Sequence, residues 1–598
     1  MDIAETRKRL NNLLFRLLKW RMQNVSNKNF LMLVSIVVGF ICGLAAVILK
    51  ISVQGIQNYL QYEVDFPYHT TLYIVFPLIG ILLTVIFVKR FLKKGLGRGL
   101  SPILYDIARN RSKVPSHKSW SHLSTSAITA GFGGSAGLEA PIVVTGSAIG
   151  SNIGLLLRMN YSERTLLLGC GAAAGISAVF NCPIAGVIFA LEVLLEGFSV
   201  SSFIPLLLSS ATAAVISGIF YTDQLFYLIT TEWTVSRLPF YTILGIMCGL
   251  ISAYMTRTTL RIEERFNKST NTYKKALFGG LSLGALIFLL PPLYGEGYST
   301  IQELLNGNYP HLLRNSLMEN IKVSWYLLAG FGVVIVIMKV VAASLTIASG
   351  GNGGIFAPSL FTGGILGFSF SNTVNQINWI NLPVSNFIAA GMAGILSGVV
   401  HAPLTAIFLI AEITGGYSLF VPLMIVSATS YFISRLFEPY SVYTTKLAKQ
   451  GIWSQQNRDA SVLASMQLKT YVRPNIEWIH PDMSLGQMVA LVTHSPRDLF
   501  PVVEENGILI GLVKVEDLRE ILFKTELYEH TLVRTFMKIA EPVALMDESM
   551  QNIVEKFEAS GANELPVTEN GLFRGFVAKS DILAGYRNHL IRQTKELS

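Results

Sequence analysis

The stretch GGSAGLEAPIVVTGSAIG, residues 133–150, carries one ionisable side chain, Glu139, among glycines and aliphatic residues. A carboxylate is expensive where water is scarce, about 2.5–3.5 kcal/mol or more at a bilayer centre, so its presence there points to a task. Pro141 follows closely, and proline suits the first turn of a helix because the N–H it lacks has no intrahelical partner there. The spacing therefore places Glu139 at a helix N-terminus, where free amides and the positive end of the helix dipole attract anions. Such a site needs no basic side chain, and the carboxylate of Glu139 carries the right charge to fill it. Glu139 reads as a tethered competitor for a permeant anion that opens the path when protonated or displaced.

Two further acids, Glu192 and Glu412, stand nine residues after Pro183 and Pro403 in equivalent apolar stretches. A group required twice is expected to be structural, capping neighbouring backbone N–H groups. Glu139 has no such twin, because its counterpart is Phe356. Other chemistries find little support. There is no HExxH pair, and the segments around GGSAG and GGNGG lack the setting of an activated serine, so the chain is not expected to be an enzyme. Cys42, Cys170, Cys182 and Cys248 lie in apolar segments without metal spacing, which suits buried hydrophobes and implies no metal site. His401, beside Ala402-Pro403, reads as lying opposite Cys182 in a core or pore-lining role.

These residues need elements to hold them, and the composition says which kind. Only 14% of the 598 residues are charged, 51% are hydrophobic, and the mean hydropathy is +0.48. A soluble domain carries about 25% charged residues. Apolar runs long enough for a bilayer recur, among them 31–50, 71–88 and 325–345. The first follows a polar, basic stretch of about 30 residues, which does not fit a cleaved signal peptide. The net charge of +9 gathers at 7–10, 19–21 and 89–94, as cytoplasmic flanks of spans do, so no nucleic-acid partner is implied.

Residues 134–150 match 351–367 at seven of seventeen positions, and 171–192 match 391–412 at six, including both prolines and both glutamates. The membrane part is a duplicated half, and transport sites lie where such repeats meet. After about residue 450 no run could span a membrane. The tail repeats as well: 500–522 resembles 565–586, each with a strand, an Asn-Gly turn, a second strand and an aspartate before a helix.

The membrane part resembles the CLC family of chloride channels and proton-coupled chloride transporters over about residues 30–450. GSAGLEAP (134–141) is similar to the family's gating-glutamate motif, GGIFAP (353–358) to its central anion motif, and SVYTTKL (441–447) to the segment with a pore tyrosine. The tail resembles a pair of CBS domains. The resemblance implies an all-α polytopic membrane domain with an inverted internal repeat, followed by an α/β CBS pair. Its parts are an N-terminal cytoplasmic segment (1–30), repeats at about 31–235 and 236–450, a linker (451–465), and modules at 466–525 and 532–590.

It also implies an anion site formed by Gly137, Leu138, Ile355, Phe356 and Tyr443, with Arg98, Gly99 and Ser101 at the inner mouth. There GRGLSP (97–102) puts Arg98 where the family has a serine, either to contact the anion or to extend toward the cytoplasm. Arg98 keeps a fluoride or nitrate carrier open as an alternative on the same fold. Ala140 replaces a glycine, and its extra methyl bears on how Glu139 swings. Val193 stands where proton-coupled members carry a relay glutamate. An aliphatic side chain moves no proton, so the expectation is a gated passive chloride channel, with a chloride/proton antiporter as the alternative. The resemblance further implies a homodimer with one pore in each subunit, embedded in lipid in a membrane read as the bacterial inner membrane, and with no required cofactor. Asp517 and Asp581 match the ribose-binding aspartates of CBS domains that hold adenine nucleotide. The Ser or Thr expected three residues before each is Lys514 or Ala578, which favours modules that stiffen a dimer without ligand.

Overall fold

The computed structural model describes residues 26–595 except 61–68, 93–94, 196–201, 222–229, 317, 320–323, 378–379, 453–462, 464–465, 475 and 520. Most of the expected N-terminal segment, its basic clusters at 7–10 and 19–21, and most of the expected linker lie outside the described residues. The chain divides into two compact units, Met1–Trp453 and Ser454–Ser598.

The first half of the membrane unit runs α1 (Asn27–Asn58), α2 (His69–Phe91), α3 (Ser101–Arg109), α4 (Lys118–Gly131), α5 (Glu139–Leu156), α6 (Tyr161–Phe180), α7 (Pro183–Phe189) and α8 (Phe203–Phe220). The second runs α9 (Leu238–Asn267), α10 (Thr272–Leu289), α11 (Tyr298–Leu305), α12 (Trp325–Ala348), α13 (Phe356–Gln376), α14 (Val384–Val400), α15 (Pro403–Ile413), α16 (Phe420–Phe437) and a short α17 (Thr445–Lys449). Seven described helices are long and apolar enough to cross a membrane. The protein is a multi-pass membrane protein. Helices α5 to α8 and α13 to α16 correspond pairwise, as the sequence repeat requires.

Small residues let the repeated pairs close up. Gly146 of α5 lies against the Gly171 carbonyl of α6, and Gly363 of α13 against the Gly391 carbonyl of α14, contacts that any side chain would block. Helix α6 ends on Asn181 (φ 57°) and α14 on His401 (φ 60°), both left-handed. This corrects the repeat alignment at one point: His401 corresponds to Asn181, not Cys182, and its place is a helix end where the chain turns into the next proline.

The paired prolines then start α7 and α15, whose free amides find carboxylate acceptors. Glu192, in a single π turn after α7 (Ala190–Leu194), accepts from the amides of Leu404 (3.1 Å) and Thr405 (2.8 Å) and from the Thr405 hydroxyl (2.7 Å). Glu412 accepts from the amides of Ile184 (3.0 Å) and Ala185 (2.8 Å). Both glutamates are caps, as the repeat suggested, but each closes the helix of the opposite half. Glu412→Ala strands two amides, each worth about 1–3 kcal/mol when left unsatisfied. The expected outcome is a clear drop in the detergent melting temperature, with Glu412→Gln affected less because it keeps one acceptor.

The second unit holds β1 (Val472–Arg473), α18 (Leu485–His494), β2 (Leu499–Val503), β3 (Leu509–Lys514), β4 (Ala544–Leu545), α19 (Met550–Ser560), β5 (Glu564–Glu569), β6 (Leu572–Ala578) and α20 (Lys579–Lys595). Strands β2 and β3 form one antiparallel sheet, and the other runs β1-β6-β5-β4. The modules interleave at the expected boundaries. Met466, Leu468 and β1 pack with the second module, while Val533 packs in the core of the first. The Asn570-Gly571 turn has two positive φ angles (54° and 81°), the backbone a two-residue hairpin requires.

Candidate anion and proton site

Helices α5 and α13 begin at Glu139 and Phe356, and the loops that feed them cross in antiparallel fashion. The Gly137 amide donates to the Gly354 carbonyl (2.9 Å) and the Gly354 amide to the Gly137 carbonyl (2.8 Å). A Cβ on Gly137 would stand 2.7 Å from the Ala357 Cβ and 3.0 Å from its nitrogen, so this crossing demands glycine. The Ala140 methyl lies against Gly354 in the same way. Gly137 is thereby corrected as an anion donor, because its N–H is spent on the bridge.

Glu139 is 1% exposed. Its Oε1 accepts from the Tyr298 hydroxyl at 2.7 Å. Its Oε2 has no hydrogen-bond partner and rests over Gly137, facing the amides of Glu139 and Ala357. The carboxylate thus occupies the meeting point of two helix N-termini, where an anion would be held. Phe356, its counterpart, is buried against Phe180 and Phe189 at ring distances of 5.7 and 6.2 Å. The Leu138 amide donates to Glu296 Oε1 at 3.1 Å. Leu138 is therefore corrected too: a second carboxylate already holds its N–H. The loop carrying Glu296 is fixed by Lys339, whose ammonium donates to the carbonyls of Gly295 (2.8 Å) and Leu293 (3.3 Å).

Sequence reasoning missed Glu296, Tyr298 and Lys339, although a signal existed. GEGY (295–298) sets a lone acid between two glycines after the apolar run of 276–293, and Lys339 is the single charge in the apolar run 325–345.

Arg98, Ser101, Glu263, Ile355, Tyr443 and Lys446 line a cavity of about 30 Å³, with Gly99 at its wall in a left-handed turn (φ 60°). Arg98 is half-buried and donates to the Ala348 carbonyl at 3.2 Å, so its side chain turns inward along α12. Ser101 donates its only hydroxyl proton to the Tyr443 carbonyl (2.7 Å), which leaves none for an anion and corrects that expectation. Glu263 is paired with Lys446. Two cations against one carboxylate leave the cavity positive. The Tyr443 hydroxyl is buried without a partner, and the tyrosine interacts electrostatically with Glu139. The expected residues thus fall into two groups, Arg98, Gly99, Ser101, Ile355 and Tyr443 around the cavity, and Gly137, Leu138, Glu139 and Phe356 at the crossing. Val193 belongs to neither and packs in the core at 8% exposure.

In the second unit, Asp581 is gripped bidentately by Arg473 (2.7 and 2.8 Å), which draws the guanidinium still further above its ordinary range, and Asp517 is paired with Lys538 (2.8 Å).

A family model described as voltage gated chloride channel matches residues 80–435, and one described as CBS domain matches residues 468–524. The chain belongs to the CLC family. Its CLC relatives include a ClcB-like chloride channel protein of Ralstonia nicotianae, 29% identical over 364 residues that cover 59% of this chain and 80% of the relative. The H(+)/Cl(-) exchange transporter ClcA of Salmonella arizonae is 28% identical over 463 residues, 73% of this chain and 91% of that one. A solved structure described as a slow cyanobacterial Cl⁻/H⁺ antiporter shares the fold with a TM-score of 0.61 at 21% identity, over 73% of this chain and 100% of that chain.

These findings correct the expectation of a passive channel. CLC proteins matched across nine-tenths of their length are named exchange transporters, and a solved structure of the same fold is described as a Cl⁻/H⁺ antiporter, which outweighs the reading drawn from Val193 alone.

Tyr298→Phe removes the one hydrogen bond that holds Glu139. Anion flux at neutral pH is expected to rise on the order of ten- to a hundredfold, for a charged hydrogen bond worth about 1.5–3 kcal/mol. The check is chloride efflux from liposomes.

Proposed function

We propose that this CLC protein exchanges chloride for protons across the membrane. The observation that carries the reading is the sealed Glu139 carboxylate, tied to Tyr298 where two helix N-termini meet. An anion and the carboxylate compete for the same amides, so anion entry expels Glu139 and exposes it to a proton. Protonation discharges it and leaves the amides to the anion. Alternation of the two occupants couples the two flows.

Val193 offers no proton carrier, but the cavity beside Tyr443 does contain a carboxylate, Glu263. The positive cavity of Arg98 and Lys446 gathers chloride at that mouth. The bacterial relatives and the basic flanks support placing the protein in a bacterial inner membrane, with both its N-terminus and its tail cytoplasmic. The paired Asp517 and Asp581 support a tail that works without nucleotide.

The test is the reversal potential of purified protein in liposomes under a fixed chloride gradient and a variable pH gradient. The potential is expected to shift with the pH gradient, and Glu139→Gln to abolish that shift while chloride still flows. A potential set by chloride alone would remove the exchange reading. For the tail, adenine nucleotide is expected to leave the melting temperature of the full-length protein unchanged, while Arg473→Ala lowers it by unpairing Asp581.

A further inference from the structure

Glu139 is sealed at 1% exposure, so a proton from the solution opposite the Arg98 cavity needs a carrier. Chain direction shows which element comes from that side. Thr259 and Glu263, near the end of α9, line the cavity, and α10 starts a few residues later on the same face. Its far end at Leu289 is therefore on the opposite face, and the loop bearing Glu296 descends from there toward Glu139. Helix α12 agrees: it runs toward the cavity, where Arg98 holds its last carbonyl, Ala348.

Glu296 is placed as a carrier should be. It keeps partial exposure, whereas Glu139 has almost none. It binds the amide of Leu138, the residue just before Glu139, and the two carboxylates interact electrostatically. The groups facing Glu296 are Glu139 on α5, Tyr298 on α11, Lys339 on α12 and Lys50 on α1; Tyr443 faces Glu139. Lys50 is engaged by the Ala178 carbonyl (2.8 Å) and the Ser217 hydroxyl (3.3 Å), and Lys339 by its two carbonyls. Neither lysine makes an ion-pair contact with Glu296, which leaves the carboxyl free to titrate against Glu139. Two neighbouring carboxylates in a poorly solvated setting favour sharing one proton over carrying two charges.

We propose that Glu296 is the proton port of this face, taking a proton from solution and passing it to Glu139. The O–H bond at Glu296 breaks, its electron pair stays on Glu296, and a new O–H bond forms at Oε2 of Glu139, the oxygen without a hydrogen bond. The pair carries one negative charge before and after, and Glu296 then takes a fresh proton from solution. This step rests on the exchange reading above.

The experiment compares wild-type, Glu296→Gln and Glu139→Gln proteins at full length in oriented liposomes, recording chloride flux, proton flux and the pH dependence of each face. Glutamine keeps an acceptor for the Leu138 amide but cannot relay a proton. Glu296→Gln is expected to lower proton flux about a hundredfold, the scale of a lost proton-transfer group, and chloride flux by less, so that the ratio of chloride to protons moved rises. Its pH dependence should flatten only on the face opposite the cavity. Unchanged proton flux and an unchanged pH profile would overturn the proposal and leave Glu296 a cap for Leu138. Should Glu296→Gln lose chloride flux altogether, Glu296→Asp decides: restored coupling supports the port, and restored chloride flux without coupling overturns it. If wild-type protein shows no proton-driven chloride movement, the exchange reading fails separately. The port is then judged by the pH dependence of chloride flux on its own face, flattened in Glu296→Gln if the proposal holds and unaltered if it does not.

Discussion

A helix that ends inside a membrane-embedded protein presents amides that no water can meet. Four described helices, α5, α7, α13 and α15, start within the membrane unit, and a carboxylate stands at each start. Glu192 and Glu412 engage two amides each, with both oxygens used. Such an arrangement is fixed. Glu139 is held by one tyrosine hydroxyl with its second oxygen unbonded, and Glu296 by one amide. The same chemistry thus appears once as permanent closure and once as closure that can be undone. The difference between a strut and a gate is the number of hydrogen bonds that hold the acid.

The rest of the membrane unit serves these four ends. Glycines at 146, 171, 363 and 391 bring the repeated helices close enough for the loops to cross at Gly137 and Gly354. Buried cations attend the opposite polarity. Lys50 meets the Ala178 carbonyl near the end of α6, and Lys339 the carbonyls of the Glu296 loop, where a positive charge is favourable. Arg98 follows the same rule at the end of α12. Charges in this protein are placed on backbone groups before they are placed on one another.

Much of this was legible in the sequence. The repeat announced two halves, the prolines announced helix starts, and Glu139 stood out because nothing in the other half matched it. What the sequence hid was exchange between distant parts. Equivalent positions suggested that Glu192 and Glu412 are caps, but not that each caps the other's helix. The glycine pattern pointed to anion-binding amides, yet Gly137 and Leu138 give theirs to Gly354 and Glu296, partners 217 and 158 residues away that spacing cannot reveal. Glu296 was passed over because α11 and its loop have no counterpart in the matched repeat segments. The aliphatic Val193 misleads by itself, since a proton route is a property of a whole path and not of one position.

The crossed caps also set a schedule for biosynthesis. The amide of Ile184 finds its acceptor 228 residues later, at Glu412. At about 5–20 residues per second, a ribosome needs roughly ten to fifty seconds to deliver it. Throughout that interval the first half sits in the membrane with the start of α7 uncapped, a docking place reserved for a segment not yet made. A duplicated protein whose halves closed themselves could release the first as a finished piece. Here neither half is complete alone, so the fusion of the two into one chain is a condition of assembly, and separate expression of the halves would have to recover by diffusion what translation now guarantees by order.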